Sequence, residues 1–80
     1  MDIAALRKQI GHRIKVRRVE LDLGQVELAE RLGLPQSRIS AWERGQGGIR
    51  LDQAVELAAV LQTSVAYLVG ETTAREDARS

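Results

Sequence analysis

The sequence predicts an all-α fold, a compact bundle of five helices, and three observations carry that prediction. Apolar residues recur three or four apart along most of the chain. The apolar palette is Leu, Val, Ile and Ala, with aromatic content of 2% and no Phe. Gly and Pro punctuate the chain at intervals that suit short helices. Eighty residues with 44% hydrophobic content suffice for one domain, expected over residues 1–70 and followed by a polar tail, 71–80. The absence of Cys and the single His, His12, exclude disulfide staples and thiolate metal sites, so packing must supply the stability. Neither a metal nor a cofactor is expected. No apolar run reaches the length of a membrane span or a secretory signal, so a soluble protein without a membrane association is expected.

Ile3, Leu6, Ile10, Ile14 and Leu21 form one apolar stripe of a long first helix. Asp22, Leu23 and Gly24 break it, and a second helix begins near Gln25 with Leu28, Ala29 and Leu32 inward. Gly33 supplies the left-handed backbone that ends it. Pro35, favoured in a first helical turn, starts a third helix that runs from Gln36 to about Arg44 with Ile39 and Trp42 facing inward. Gly45, Gly47 and Gly48 mark a loop. The fourth helix carries Leu51, Ala54, Val55, Ala58 and Leu61, and Asp52 suits its positive N-terminal end. Ser64 can cap a short fifth helix with Val65, Leu68 and Val69, ended by Gly70. Val65, Tyr67, Leu68 and Val69 are more apolar surface than so short a helix can bury internally, so self-association through it is expected.

The net charge of +1 hides an asymmetry. Residues 1–50 hold ten Lys/Arg against six Asp/Glu, whereas residues 51–80 hold two against five. Arg7, Lys8, Arg13, Lys15, Arg17 and Arg18 fall on the first helix with no acid between them, as a solvated face or a phosphate-contacting one.

Two short helices joined by a tight Gly-containing turn have the form of a helix-turn-helix. Ala29 allows the close crossing, Gly33 makes the turn, and Ile39 and Trp42 lock the second helix. The blocks Gln25-Val26-Glu27-Leu28-Ala29, Gly33-Leu34-Pro35-Gln36-Ser37-Arg38-Ile39-Ser40 and Glu43-Arg44-Gly45 resemble the Cro/phage-repressor (XRE) helix-turn-helix family. Ile10-Gly11-His12-Arg13-Ile14 with Arg18, Glu56-Leu57-Ala58 with Leu61, and Ser64-Val65-Ala66-Tyr67-Leu68 extend the resemblance over about residues 9–70.

The resemblance implies a lambda-repressor-like DNA-binding domain with the motif at helices two and three, and a transcription regulator of the cytoplasm, associated with the nucleoid. By that resemblance, Gln36, Ser37, Arg38 and Ala41 are the base-reading candidates. An amide offers adjacent donor and acceptor groups that match adenine N7 and N6, which favours Gln36 above the rest. Gln25, Ser40, Arg44, Gln46, Arg50 and Arg13 are the phosphate-contacting candidates, and Gln25 can also brace Gln36. Arg18 and Glu43 match a family pair that bridges the first helix to the end of the third, and His12 reads as an ordinary surface residue.

Three positions depart from the family pattern. Gly24 replaces a capping Ser, Thr or Asn, Pro35 replaces a Ser or Thr, and Gly47-Gly48-Ile49 lacks a frequent Pro. The expected partner is double-stranded DNA in the major groove, bound by a homodimer on an inverted repeat, since one short helix on one half-site gives too little specificity. A module for a protein partner, such as an antitoxin with DNA binding as feedback, is the alternative; an exposed apolar groove on helices four and five would favour it. An enzyme is not expected, because the sequence has no nucleotide-binding glycine loop and no paired acids with catalytic spacing.

Overall fold

Ile14, Leu28, Ile39, Leu57 and Leu61 are fully buried and come from four different helices and the turn that follows the last of them. Burial of a side chain of this size stabilises by roughly 1.5–3 kcal/mol, so these residues decide how the helices assemble. The computed structural model describes residues 1–71. The helices are α1 (Ile3–Glu20), α2 (Gln25–Leu32), α3 (Gln36–Glu43), α4 (Leu51–Val60) and α5 (Val65–Leu68). The five-helix, all-α architecture agrees with the sequence reading, and every regular element among the described residues is a helix. The expected polar tail, beyond Glu71, lies outside the described residues.

The helix starts follow local chemistry. The Asp2 carboxylate accepts from the Ala5 amide at 3.2 Å, and Ser64 Oγ accepts from the Tyr67 amide at 3.0 Å, so α1 and α5 are both capped by a side chain. Gly24 sits at the start of α2 and makes no side-chain cap. α3 starts at Gln36 as the sequence suggested, with Pro35 just before its first turn and not within it. Pro35 occupies the extended capping position, φ −71° and ψ 148°.

All five helices end in the same way. At each end one residue takes a left-handed backbone: Asp22, Gly33, Gly45, Gln62 and Gly70. The amides of that residue and of the next fold back onto carbonyls of the last turn, as when Gly33 N donates to Glu30 O at 3.2 Å and Leu34 N to Ala29 O at 2.9 Å. Gly33 is where this matters most, because Leu34 must turn at once into α3. The sequence places Leu23 in the break after α1. The left-handed Asp22 instead turns its side chain into the interior, where it is 8% exposed.

Two arginines of α1 tie down the C-terminal half. Arg17 Nε donates to Leu61 O at 2.8 Å and its Nη2 to Gln62 O at 3.1 Å, which satisfies carbonyls at the negative end of α4. Arg13 Nη1 donates to Tyr67 O at 3.2 Å, and its guanidinium lies 5.2 Å from the centre of the Tyr67 ring. Tyr67 and Leu68 are thereby buried within the chain's own core. They do not belong to an exposed face of α5, contrary to the expectation above.

Candidate nucleic-acid interface

Helix α3 divides its residues sharply by depth. Gln36, Ser37 and Arg38, in its first turn, are exposed, whereas Ile39 and Trp42 are buried and Ser40 and Ala41 are half-buried. Trp42 is a core residue, as its spacing from Ile39 suggested. The burial of Ile39 and Trp42 fixes the helix against α1 and α2, and that leaves its first turn open to solvent at one end of the molecule.

Behind this turn lies a chain of four polar side chains. Arg18 Nε donates to Glu43 Oε2 at 2.7 Å and Arg18 Nη2 to Glu43 Oε1 at 3.1 Å, a bidentate pair. Their side chains are 12% and 4% exposed. Arg18 Nη1 donates to Leu23 O at 2.8 Å, which ties the pair to the turn before α2. The hydrogen bond to Glu43 raises the guanidinium pKa above its ordinary value, against the opposing effect of burial. Gln25 Nε2 donates to Glu43 Oε1 at 3.1 Å, and Gln36 Nε2 donates to Gln25 Oε1 at 2.9 Å. The expected Arg18–Glu43 and Gln25–Gln36 pairs therefore form one network.

Three of the phosphate candidates also come together. Arg44 Nη1 donates to Ser40 Oγ and Arg44 Nη2 to Gln46 Oε1 at 3.2 Å, so Ser40, Arg44 and Gln46 form one cluster at the end of α3. Arg50 is exposed at the start of α4, where its backbone amide donates to Gln53 Oε1 at 3.1 Å and its guanidinium lies 3.4 Å from Asp52. Arg13 is not brought to this cluster, since its guanidinium is engaged with Tyr67.

Other basic residues of α1 stand closer to the loop after α3. A Cβ on Gly45 would meet Lys8 Cγ at 2.7 Å, and one on Gly48 would lie 3.4 Å from Arg7 Nη2. Both cations are exposed. The spacing of Lys8, Gly11, Lys15 and Arg18 puts them on one helical stripe, and that register was the signal that could have singled out Lys8. Gly11 on this stripe is the point of closest approach, where a Cβ would meet Trp42 O at 2.3 Å and Glu43 O at 2.8 Å. Only glycine lets α1 lie that close to the end of α3.

A family model described as helix-turn-helix matches residues 14–68. The chain belongs to the XRE-type helix-turn-helix family of DNA-binding transcription regulators. Among solved structures it is similar to the restriction-modification controller protein C.AhdI from Aeromonas hydrophila. The identity is 31%, the TM-score 0.75, and the match covers 80% of this chain and 97% of that one. The clp gene regulator ClgR from C. glutamicum is 26% identical with a TM-score of 0.78, over 82% of this chain and 85% of that one. Hydroxypropylphosphonic acid epoxidase from S. wedmorenis is 32% identical with a TM-score of 0.76, over 80% of this chain and 34% of that one. The chain thus spans about a third of the epoxidase's length. No curated protein sequence matches it at a significant level. The family match begins at Ile14, so Arg7, Lys8 and Gly11 lie on a part of α1 that precedes it.

Opposite in character to the polar first turn of α3 is an apolar groove between α4 and α5. Ile10, Ile49, Leu51, Ala54, Leu57, Val65, Leu68 and Val69 line a cavity of about 220 Å³. Leu51 is 75% exposed at its edge, and Val55, one turn further along α4, is 55% exposed. No helix of the described residues is long and apolar enough to cross a membrane.

Proposed function

We propose that the protein is a transcription regulator of repressor type that binds an inverted-repeat operator in duplex DNA as a homodimer. The observation that carries this reading is the exposed first turn of α3, where the Gln36 amide is held by Gln25 against the end of the helix. Gln36, Ser37 and Arg38 are the base-reading residues of this proposal, with Ala41 offering an apolar contact such as to a thymine methyl. Gln25 and the Ser40–Arg44–Gln46 cluster bind phosphates, and Arg50 adds a cation beside them. Arg13 is the weakest member of the set, because Tyr67 holds its guanidinium. The similarity to two gene-regulator structures over most of their lengths supports the reading, whereas the epoxidase resemblance covers only 34% of that enzyme. The site of action is the cytoplasm, at the nucleoid.

The dimer is proposed to form through the α4–α5 groove, with Leu51 and Val55 of each copy covering the apolar surface of the other. The same groove favours a second reading, a module that binds an apolar segment of a different protein, with DNA binding as feedback.

Selection of bound sequences from a random duplex pool tests the main reading. The enriched site should be an inverted repeat with half-site centres about one helical turn apart. Gln36→Ala should lose about 1–3 kcal/mol per half-site on that operator and leave binding to random DNA nearly unchanged. Arg44→Ala should weaken both alike and reduce the slope of log affinity against log salt by roughly one unit. Failure to enrich any sequence would refute the reading. A strict monomer at high micromolar concentration, with and without DNA, would move the partner module to first place.

A further inference from the structure

We propose that the Arg18–Glu43 pair sets which base Gln36 reads, because it fixes the direction of the hydrogen-bond relay through Gln25. The inference rests on the reading of α3 as the base-contacting helix and adds a specificity-determining role for a residue remote from the base.

The direction follows from donor and acceptor chemistry. Glu43 Oε1 carries no proton to give, so Gln25 must turn its NH₂ group toward it, at 3.1 Å. The Gln25 oxygen is then committed to the other side, where the NH₂ of Gln36 donates to it at 2.9 Å. Gln36 is left with one free N–H and a free carbonyl oxygen. Adenine presents an acceptor at N7 and a donor at N6, which this remainder matches, whereas guanine presents two acceptors, N7 and O6. A carboxylate at position 43 thus selects an adenine-reading orientation of an amide two side chains away. Arg18 holds that carboxylate in place through its bonds at 2.7 and 3.1 Å.

Glu43→Gln reverses the relay with almost no change in shape. Arg18 only donates, and its shortest bond is from Nε at 2.7 Å, so the new amide keeps its oxygen there. Its NH₂ group then occupies the place of Oε1, where Arg18 Nη2 loses its acceptor, and donates to the oxygen of Gln25. Gln25 turns over and donates to the oxygen of Gln36, which leaves the Gln36 NH₂ group free with two donors. The preferred base becomes guanine. Gln25→Ala cuts the relay and leaves the ion pair whole, so Gln36 can turn either way and the preference weakens without reversing.

The test measures affinity for the selected operator and for the same operator with adenine changed to guanine at the position that Gln36→Ala relaxes. Wild-type protein should favour adenine there by about tenfold or more. Glu43→Gln should reduce that ratio at least several-fold or invert it, and Gln25→Ala should bring it toward one. A merely structural role for Glu43 would lower affinity for both operators alike and leave the ratio unmoved. If Glu43→Gln does not fold, as judged by circular dichroism, Gln25→Ala decides alone. A wild-type preference for guanine at that position, or a ratio unchanged in the folded variants, overturns the inference while the DNA-reading function stands. A pool that enriches no operator refutes that function itself.

Discussion

Glu43→Ala is the perturbation with the largest expected effect on folding. The variant removes both acceptor oxygens of a pair whose side chains are 12% and 4% exposed. Arg18 then retains one hydrogen bond, from Nη1 to Leu23 O at 2.8 Å, for a full positive charge held mostly out of water. Gln25 loses its acceptor as well. Breaking a buried pair by removal of one partner destabilises by about 3–5 kcal/mol, and an exposed pair by under about 1 kcal/mol. Arg18 keeps some contact with solvent, so the lower end applies, about 3 kcal/mol.

A loss of that size is large against a total stability on the order of 5–15 kcal/mol. Urea denaturation followed by far-ultraviolet circular dichroism should give a midpoint shift with an unchanged slope. The double variant Arg18→Met/Glu43→Leu should be less destabilised than Glu43→Ala alone, because it leaves no uncompensated charge inside. A loss below about 1 kcal/mol for the single variant, or a double variant worse than the single, would refute the account of this pair as a buried anchor.

Other outcomes follow from separate parts of the fold. Gly11→Ala, which in an ordinary helix would stabilise by about 1 kcal/mol, should instead destabilise by roughly 1–3 kcal/mol, because its Cβ meets the Trp42 and Glu43 backbone; a thermal melt gives the sign directly. Arg17→Ala frees the Leu61 and Gln62 carbonyls and should destabilise by about 1–2 kcal/mol, with Arg17→Lys recovering only part, as measured by urea denaturation. Leu51→Asp/Val55→Asp alters exposed positions, so the helical spectrum should persist while light scattering reports a monomer and operator affinity falls.

The fold was most legible in the sequence where the signal was local. Gly33-Leu34-Pro35 left room for one kind of turn, and the spacing of Leu28, Ile39, Trp42, Ala58 and Leu61 located the interior, whereas on α4 the same spacing places Leu51 and Val55 inward and passes over Leu57, and the structure exposes the first two and fully buries the third. Two helix ends were harder to read because Asp22 and Gln62 take left-handed backbone that glycine usually signals. Leu23 followed from that, being a lone apolar residue with no period to mark it. The basic residues of α1 were the least legible. Arg17 meets a carbonyl 44 residues away and Arg13 one 54 residues away. Nothing in a charge run tells which cation will find such a partner and which, like Arg7 and Lys8, will stay exposed. Tyr67 and Leu68 were misplaced for the same reason, since the long α1 that covers them is far away in sequence.

Helix α3 also separates holding from reading along its own length. Eight residues form too short a helix to persist alone in water, so its conformation depends on tertiary anchors. Those anchors are Ile39, Trp42 and Glu43, together with the approach of Gly11 and the turn at Gly45, and nearly all lie in its second half. Ser37 and Arg38 in the first turn bear on none of them and are exposed. A change at either position alters what the helix presents to a partner while the anchors keep its direction. Gln36 is the exception within that turn, because the relay through Gln25 ties it to Glu43. One residue of the exposed turn is thus coupled to the fold, and its two neighbours are free to vary.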